Sequence, residues 1–375
     1  MRGSRAGFPI GLASLTHRRS GSGMTSNIIE KGLNMSDVFY AVAHRSQEEI
    51  DSFKIRYEDF PTDRVAEIFK SSLNLRVTHF EKCQSFGTAH VIYYVSVSEE
   101  PIEFILRANL GFSEPETAMT VEKLVTDTVA KLGVPVNTIR CVDVSRIRFP
   151  FDFQIEERLI GQDIETYFHG TREEYDRLSY ELGEYVARFH ALDFDGFGRF
   201  DAKEAERGNL SGTKESFSKY IEVCLESDLA YLVKDRVVDS STAKEIVKVF
   251  VERKNIMDIE RGVLVHHDLA DHNIMFSGNH ITGIFDWEAC VVGDPALDLS
   301  SCPTWKTHHP REDMLLEGYK SIRALPENFS EKRNLYLLRT MLWKMVLAIR
   351  SGRQNKDRTQ KFSDALAPFG LTVKW

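Results

Sequence analysis

The residue types best suited to chemistry gather in one stretch, Val263–Leu299. Within it, His266, Asp268 and Asn273 follow the spacing H-x-D-x-x-x-x-N, and Asp286-Trp287-Glu288 comes after. A carboxylate can take the proton of an attacking hydroxyl. An amide oxygen beside a second carboxylate suits Mg²⁺, which wants hard oxygen ligands and keeps several waters. Together these groups form the set that phosphoryl transfer needs. The elements that must position them are readable. Val263 to Val265 is a short apolar run leading into a polar loop, His266 to Asn273. Ile274–Phe276 and Ile281–Phe285 flank Ser277-Gly278-Asn279-His280 and predict a β-hairpin. Asn273 opens its first strand and Asp286 closes its second. In an antiparallel pair such positions lie roughly opposite, about 5 Å apart, with side chains on one face.

This spacing is close to a kinase catalytic loop, and Asp286 stands where kinases carry their metal-binding Asp. Taken with Gly293-Asp294-Pro295 and Asp298, the stretch resembles the aminoglycoside phosphotransferase and choline kinase family of small-molecule kinases. The resemblance implies an α+β, bilobal, protein-kinase-like fold. A small N-lobe of antiparallel strands and a larger, mainly helical C-lobe would hold nucleotide between them. It also implies ATP and Mg²⁺, with a small-molecule hydroxyl as acceptor: an aminoglycoside-like antibiotic, an amino alcohol or a related metabolite. Asp268 would be the base, Asn273 and Asp286 the metal ligands, and His266 and Asp298 supports of the loop. Asp294 before Pro295 is a good N-cap and N1 pair, and with Asp298 it reads as bracing the catalytic loop from the start of a helix.

Upstream, Arg76–Phe80, His90–Ser98 and Ile102–Ala108 read as strands. Ser85 and Gly87 fall in the turn between the first two, where a kinase loop offers backbone N–H groups to phosphates. Arg107 stands on the strand that carries a phosphate-gripping Lys in kinases. Ala118, Val121, Val125, Val129 and Leu132 recur at helical spacing, with Pro115 before them and Gly133 after. Glu122 lies beside that face, where the resemblance pairs it with the strand cation. Cys141–Val144 and Phe151–Glu157 read as two more strands, and the segment from Glu156 to Gly161, with Glu157, is the implied hinge at the adenine edge. Thr171 and Glu174 make a capping box ahead of a long helix. His190 near its end reads as a packed or capping residue.

The chain of 375 residues has an ordinary apolar fraction of 42% and a formal charge of −8. That balance argues against nucleic acid as a partner; it fits a generic soluble surface and is compatible with a cationic substrate. No apolar run approaches the ~20 residues of a membrane span. Cys83, Cys141, Cys224, Cys290 and Cys302 form no C-x-x-C pair, which suits buried thiols in a reducing compartment. A cytoplasmic location follows. Residues 1–29 contain no Asp or Glu, and Arg2, Arg5, Arg18 and Arg19 stand among Ser and Gly. A tail, or an extension ahead of a start at Met24 or Met35, is favoured over an organelle transit peptide. The expected organisation is residues 1–35 as tail, 36–157 as N-lobe and 158–375 as C-lobe. Within the C-lobe, 200–262 is an insertion with helices at Phe217–Leu232 and Ala243–Ile256, able to wall a small-substrate pocket. So little chain separates Asp286 from Gly293 that a long activation loop has no room, which points away from a protein substrate. Trp305, Glu312, Asp313 and Glu317 are placed by position at the border of the acceptor pocket. No pattern specifies an oligomeric state. Two other functions fit the motif less well: a kinase-like binding module, and a metal-dependent hydrolase using the His266-His267-Asp268 and Asp271-His272 cluster.

Overall fold

The computed structural model describes Ser46, Glu48 and residues 56–83, 90–109 and 118–373. The Ser85–Gly87 turn, Pro115 and the acid-free segment lie outside the described residues.

Five strands form the first sheet: β1 (Val77–Lys82), β2 (Val91–Val97), β3 (Glu103–Asn109), β4 (Ile139–Asp143) and β5 (Asp152–Glu157), in the antiparallel order β1-β2-β3-β5-β4. β2 alternates buried and half-buried along its whole length, the pattern of a strand with one face on a core. β3 is central and buried from Leu106 to Asn109. Helix α1 (Val65–Leu73) lays Val65, Ile68 and Phe69 on the apolar residues of this sheet, including Phe104 and Leu106. Each such side chain, fully buried, contributes roughly 1.5–3 kcal/mol. Helix α2 (Ala118–Ala130) buries Val121, Val125 and Val129, as the spacing predicts, and Glu122 with them.

The rest is mainly helical. A short β6 (Gln162–Asp163) leads to α3 (Ile164–Tyr167) and the long α4 (Arg172–Phe189). The Thr171–Glu174 capping box forms with both of its hydrogen bonds, 2.7 and 3.3 Å. Next come β7 (Asp193–Phe194), β8 (Phe197–Phe200), α5 (Ala202–Glu206), β9 (Gly212–Lys214), α6 (Phe217–Ile221), α7 (Leu225–Lys234), α8 (Ser240–Glu252) and α9 (Lys254–Met257). The single helix expected at Phe217–Leu232 is therefore two, α6 and α7. Cys224 between them takes a left-handed φ of 58°, which an α-helix cannot continue through. The stretch from Gly262 to Gly293 supplies β10 (Gly262–Val265), β11 (Ile274–Ser277), β12 (His280–Ile284) and β13 (Val291–Gly293). β10 and β13 join β7, β8 and β9 in a sheet of order β7-β10-β13-β8-β9, while β12-β11-β6 form a third. Helices α10 (Ala296–Leu299), α11 (Glu312–Lys320), α12 (Phe329–Arg350) and α13 (Lys356–Leu366) complete the fold.

Two glycines set the closest helix contact. A Cβ on Gly183 of α4 would lie 2.0 Å from the Leu315 carbonyl oxygen, and one on Gly318 of α11 would lie 1.9 Å from that of Tyr180. Only hydrogen at these positions lets the two backbones meet. On α12, Leu338, Met341, Leu342 and Met345 are buried. α11 ends at Lys320, and Ile322 beyond it is exposed. All five cysteines are free, with Cys141 and Cys224 only half-buried. No described helix is long and apolar enough to cross a membrane.

Candidate active site

β10 delivers the chain into the loop, and a buried carboxylate catches it. Asp298 Oδ2 accepts the His266 N–H at 2.8 Å and Oδ1 accepts the His267 N–H at 2.7 Å. His190, at the C-cap of α4, lies 3.2 Å from the same carboxylate through Nε2 and 3.3 Å from the Tyr319 hydroxyl through Nδ1. These contacts hold His267 at φ 71°, the sharp bend that turns the chain toward Asp268. Asp294 works elsewhere. It accepts the Ala296 N–H at 2.9 Å, then meets Lys332 Nζ at 2.6 Å and the Tyr336 hydroxyl at 3.0 Å, fastening α10 to α12.

His266 lies beneath the loop. Its Nδ1 accepts the Asp268 N–H at 3.2 Å, so Nε2 carries the proton and donates to the Phe285 carbonyl at 3.1 Å. The ring packs 4.3 Å from Trp287, centroid to centroid. Burial holds its pKa below the ordinary value, which keeps the neutral form this bonding pattern needs. A second brace was not legible as such. Asp271, fully buried, takes the Tyr175 hydroxyl at 2.9 and 3.2 Å and pairs with Arg311, which also reaches the Leu269 carbonyl at 3.4 Å. His272 turns to Glu165 at 3.0 Å. The clustered His and Asp that suggested a hydrolase are thus spent on separate partners. Among the described residues no group of three or more His, Cys, Asp or Glu is placed to hold a metal.

Asp268 and Asn273 meet directly. Asn273 Nδ2 donates to both the backbone O and the Oδ2 of Asp268, each at 3.0 Å. Two acceptors on the nitrogen fix which way the amide points and leave its oxygen for another ligand. Asp268 is 8% exposed and its Oδ1 has no hydrogen-bond partner. Burial raises its pKa, opposed by the nearby His272, Lys344 and His266.

The hairpin forms, but its register differs from the expectation. Ile274 pairs with Ile284, and the Phe285 N–H bonds the Asn273 carbonyl at 3.1 Å, so Asn273 stands opposite Phe285 and not Asp286. Asn273 itself ends a 3₁₀ turn, Asp271–Asn273, before β11 begins. Strict alternation would send the Asp286 side chain to the other face. Instead Asp286 adopts φ 65°, ψ 58°, a left-handed conformation that Asp tolerates better than most residues. That turn brings its carboxylate into the charge field of Asp268.

From the first sheet comes Arg107, 6% exposed. Its Nη1 lies 3.1 and 3.3 Å from the two oxygens of fully buried Glu122, and 3.6 Å from Asp286 Oδ1. Its Nη2 meets Glu288 Oε2 at 2.5 Å. Glu288, which could have been an exposed turn residue, is held by His90 Nε2 at 2.8 Å as well. His90 precedes Ile92, which pairs with Arg107 across β2 and β3, so the two share a face. Glu122 also accepts the Trp287 N–H at 3.2 Å, tying α2 to the turn after Asp286. Glu157 stands apart. Its carboxylate pairs with Arg140 at 2.8 Å, and its N–H bonds the Thr138 carbonyl at 2.9 Å. Of the residues placed at the acceptor border, Glu312 binds Arg333 and exposed Glu317 binds Lys320.

The electrostatics favour a bound cation. Burial, then the charge of Glu288, pushes Asp286 well above the carboxylate range, with Arg107 opposing. Glu288 goes the other way: burial would raise it, but His90 and Arg107 hold it well below. Asp286 Oδ1 has no hydrogen-bond partner, and its side chain keeps 34% of its surface accessible. Glu122, Asp286 and Glu288 thus share the Arg107 guanidinium, and the charge of Asp268 also bears on Asp286. A carboxylate with an oxygen free of hydrogen bonds and in surplus negative charge, at the end of the strand paired with that of Asn273, fits Mg²⁺.

Comparison with known proteins agrees with this architecture. Residues 87–330 match the sequence profile of the phosphotransferase enzyme family, APH. A probable ketoamine kinase of Klebsiella aerogenes is 34% identical over 98 residues, spanning 25% of this chain and 32% of that protein; the chain thus aligns with about a third of that relative. Among solved structures, a thermostable mutant of the aminoglycoside phosphotransferase APH(4)-Ia, in ternary complex with AMP-PNP and hygromycin B, superposes with a TM-score of 0.60 at 16% identity, covering 81% of this chain and 97% of that one. The macrolide 2'-phosphotransferase MphH of Brachybacterium faecium gives 0.54 at 17% identity, covering 82% and 98%. These similarities show a shared fold, and with the profile covering most of its length the chain belongs to the phosphotransferase enzyme family.

Proposed function

We propose that this protein is a small-molecule kinase that transfers the γ-phosphoryl group of ATP to a hydroxyl. The observation that carries the reading is the direct contact of Asp268 with Asn273 at the foot of one hairpin, whose second strand leads to Asp286 within the charge field of Asp268. The acceptor oxygen forms the new P–O bond, the β–γ bridging bond breaks, and ADP leaves. Asp268 takes the hydroxyl proton on Oδ1, the oxygen without a partner, while Asn273 locks the carboxylate through Oδ2. Its raised pKa makes Asp268 a better proton acceptor than an exposed carboxylate. Asn273 and Asp286 would hold Mg²⁺, which when bound supplies charge neutralisation on the phosphates. Arg107 braces the phosphates in this reading and is itself set by Glu122 and Glu288. The backbone of the segment from Glu156 to Gly161 meets the adenine edge; the Glu157 side chain, paired with Arg140, takes no part. Ser85 and Gly87 would lie over the phosphates.

The relatives act on or bind ketoamines, hygromycin B and macrolides according to their names, which supports a hydroxylated small molecule as acceptor. An ATP-consumption screen over hydroxylated metabolites and antibiotics tests the reading: ADP formed only with particular acceptors supports it. One observation favours a catalytically weak binding module instead, namely the engagement of Arg107 by Glu122, Glu288 and Asp286. Nucleotide binding without turnover across the panel would select that second reading.

A further inference from the structure

The long helix α12 carries a lysine where a core residue belongs. Lys344 is 4% exposed, yet its hydrogen bonds go to neutral oxygens, and Asp268, the carboxylate whose charge acts on it, forms no ion pair with it. Its Nζ donates to Thr304 Oγ1 at 2.8 Å and lies 3.4 Å from the Thr304 carbonyl, with the Trp305 ring centroid 2.9 Å away. Neutral partners do not repay the burial of an ammonium, which costs several kcal/mol. Two more cations converge on the same turn: Arg358 reaches the Thr304 carbonyl at 3.5 Å and Lys361 the Trp305 carbonyl at 3.1 Å. Apart from Asp268, whose charge acts on Lys344 without forming an ion pair, the nearby carboxylates are engaged otherwise. Asp357 pairs with Lys361, Asp364 with Gln360, and Glu165 with His272 and Lys306. Trp305 Nε1 is buried without a hydrogen-bond partner. The unpartnered group of this corner is thus a donor, the indole N–H, and beside it stands an ammonium whose hydrogen bonds go to neutral oxygens.

The corner adjoins the catalytic loop. Trp305 packs edge-on against His272 at 6.0 Å, and Lys344 and Asp268 each feel the other's charge. We propose that Lys344, Trp305 and Thr304 form an acceptor subsite beside Asp268 that takes an anionic group, a carboxylate or a phosphate monoester, on the hydroxylated substrate. Oxygen acceptors bearing negative charge would take the indole N–H and place against Lys344 a counter-charge at contact distance, where it has only neutral partners. Burial, with Arg358 and Lys361 adding to it, holds the Lys344 pKa well below the ordinary lysine value, and an arriving anion would restore it. This subsite rests on the kinase reading for its place beside the base, and it runs opposite to the cationic substrate with which the net charge is compatible.

The test is calorimetric titration of the full chain, with AMP-PNP and Mg²⁺ present, using gluconate, glucose 6-phosphate, glucitol and glucosamine. At least one of the two anions should bind about tenfold or more tighter than the neutral and cationic probes, the scale of one charge-assisted hydrogen bond. The better anion tells carboxylate from phosphate. Lys344→Met should abolish the preference while AMP-PNP affinity stays intact. Trp305→Phe, which deletes only the N–H and keeps an aromatic ring, should weaken the anion alone and serves if the first variant does not fold. Equal binding of all probes, no binding of any, preference for glucosamine, or an anion preference that survives both substitutions overturns the subsite. Anion binding without turnover of any acceptor would instead count against the kinase reading and leave the subsite standing.

Discussion

Replacing Arg107 with methionine keeps the bulk of the side chain and removes the cation that Glu122, Glu288 and Asp286 share. Glu122 is fully buried and the Glu288 side chain is 15% exposed, so neither can turn to bulk water. Breaking a buried pair from one side costs about 3–5 kcal/mol, because a charge is left without a partner. The loss should depend on pH. Without Arg107 the folded-state pKa values of Glu122 and Asp286, already raised by burial, rise further. A carboxylate with a raised folded pKa favours the fold when protonated, and that contribution fades as pH climbs through the folded value. The deficit of Arg107→Met against wild type, from urea unfolding, should be about 3–5 kcal/mol at pH 8 and less than about half of that at pH 5. Adding Glu122→Leu should recover much of it, since an apolar pair of similar volume is tolerated where a lone charge is not. A deficit below about 1 kcal/mol at pH 8, or the same deficit at both pH values, would refute the reasoning.

Gly318→Ala places a methyl 1.9 Å from the Tyr180 carbonyl oxygen; it should cost about 1–3 kcal/mol by overpacking, seen as a lower thermal midpoint, and an unchanged midpoint would show that α4 and α11 part without penalty. Glu156 is pushed up to about 7 by burial and then by the Glu122 charge. Its protonated form therefore supports the fold fully below its unfolded value, and the support is lost as pH rises toward 7. Glu156→Gln should be more stable than wild type at pH 8 by up to about 3 kcal/mol and nearly equal at pH 4.5, whereas parallel stability–pH curves would remove Glu156 from this role.

Much of the site was legible because its logic is local. The spacing from His266 to Asn273, the apolar runs on either side and the Gly278 turn all lie within one stretch, and β10, β11 and β12 form where those runs stand. Where the reading slipped, a single torsion was responsible. The left-handed backbone at Asp286 offsets the one-residue register difference, and period-2 alternation carries no sign of it. β7 and β9 escaped notice because two or three residues are too short to show a period. The cations buried on α12 were hidden differently. Arg339, fully buried, pairs with Asp228 of α7 at 3.0 Å, and Lys344 packs on Trp305. Charged residues on a helix read as its solvent face until the partner, far off in sequence, is known. Gly183 and Gly318 likewise look like helix weaknesses until two backbones are seen to need the space.

The claim on which the activity stands is that Asp268 accepts the hydroxyl proton while Asn273 and Asp286 serve the phosphates. Once an acceptor is in hand, single-turnover phosphoryl transfer by Asp268→Asn tests it most directly, with ATP affinity measured on the same sample. The account predicts near-normal ATP binding and a transfer rate reduced by roughly 10²–10⁴-fold, the usual worth of a positioned base. Transfer at close to the wild-type rate would contradict it.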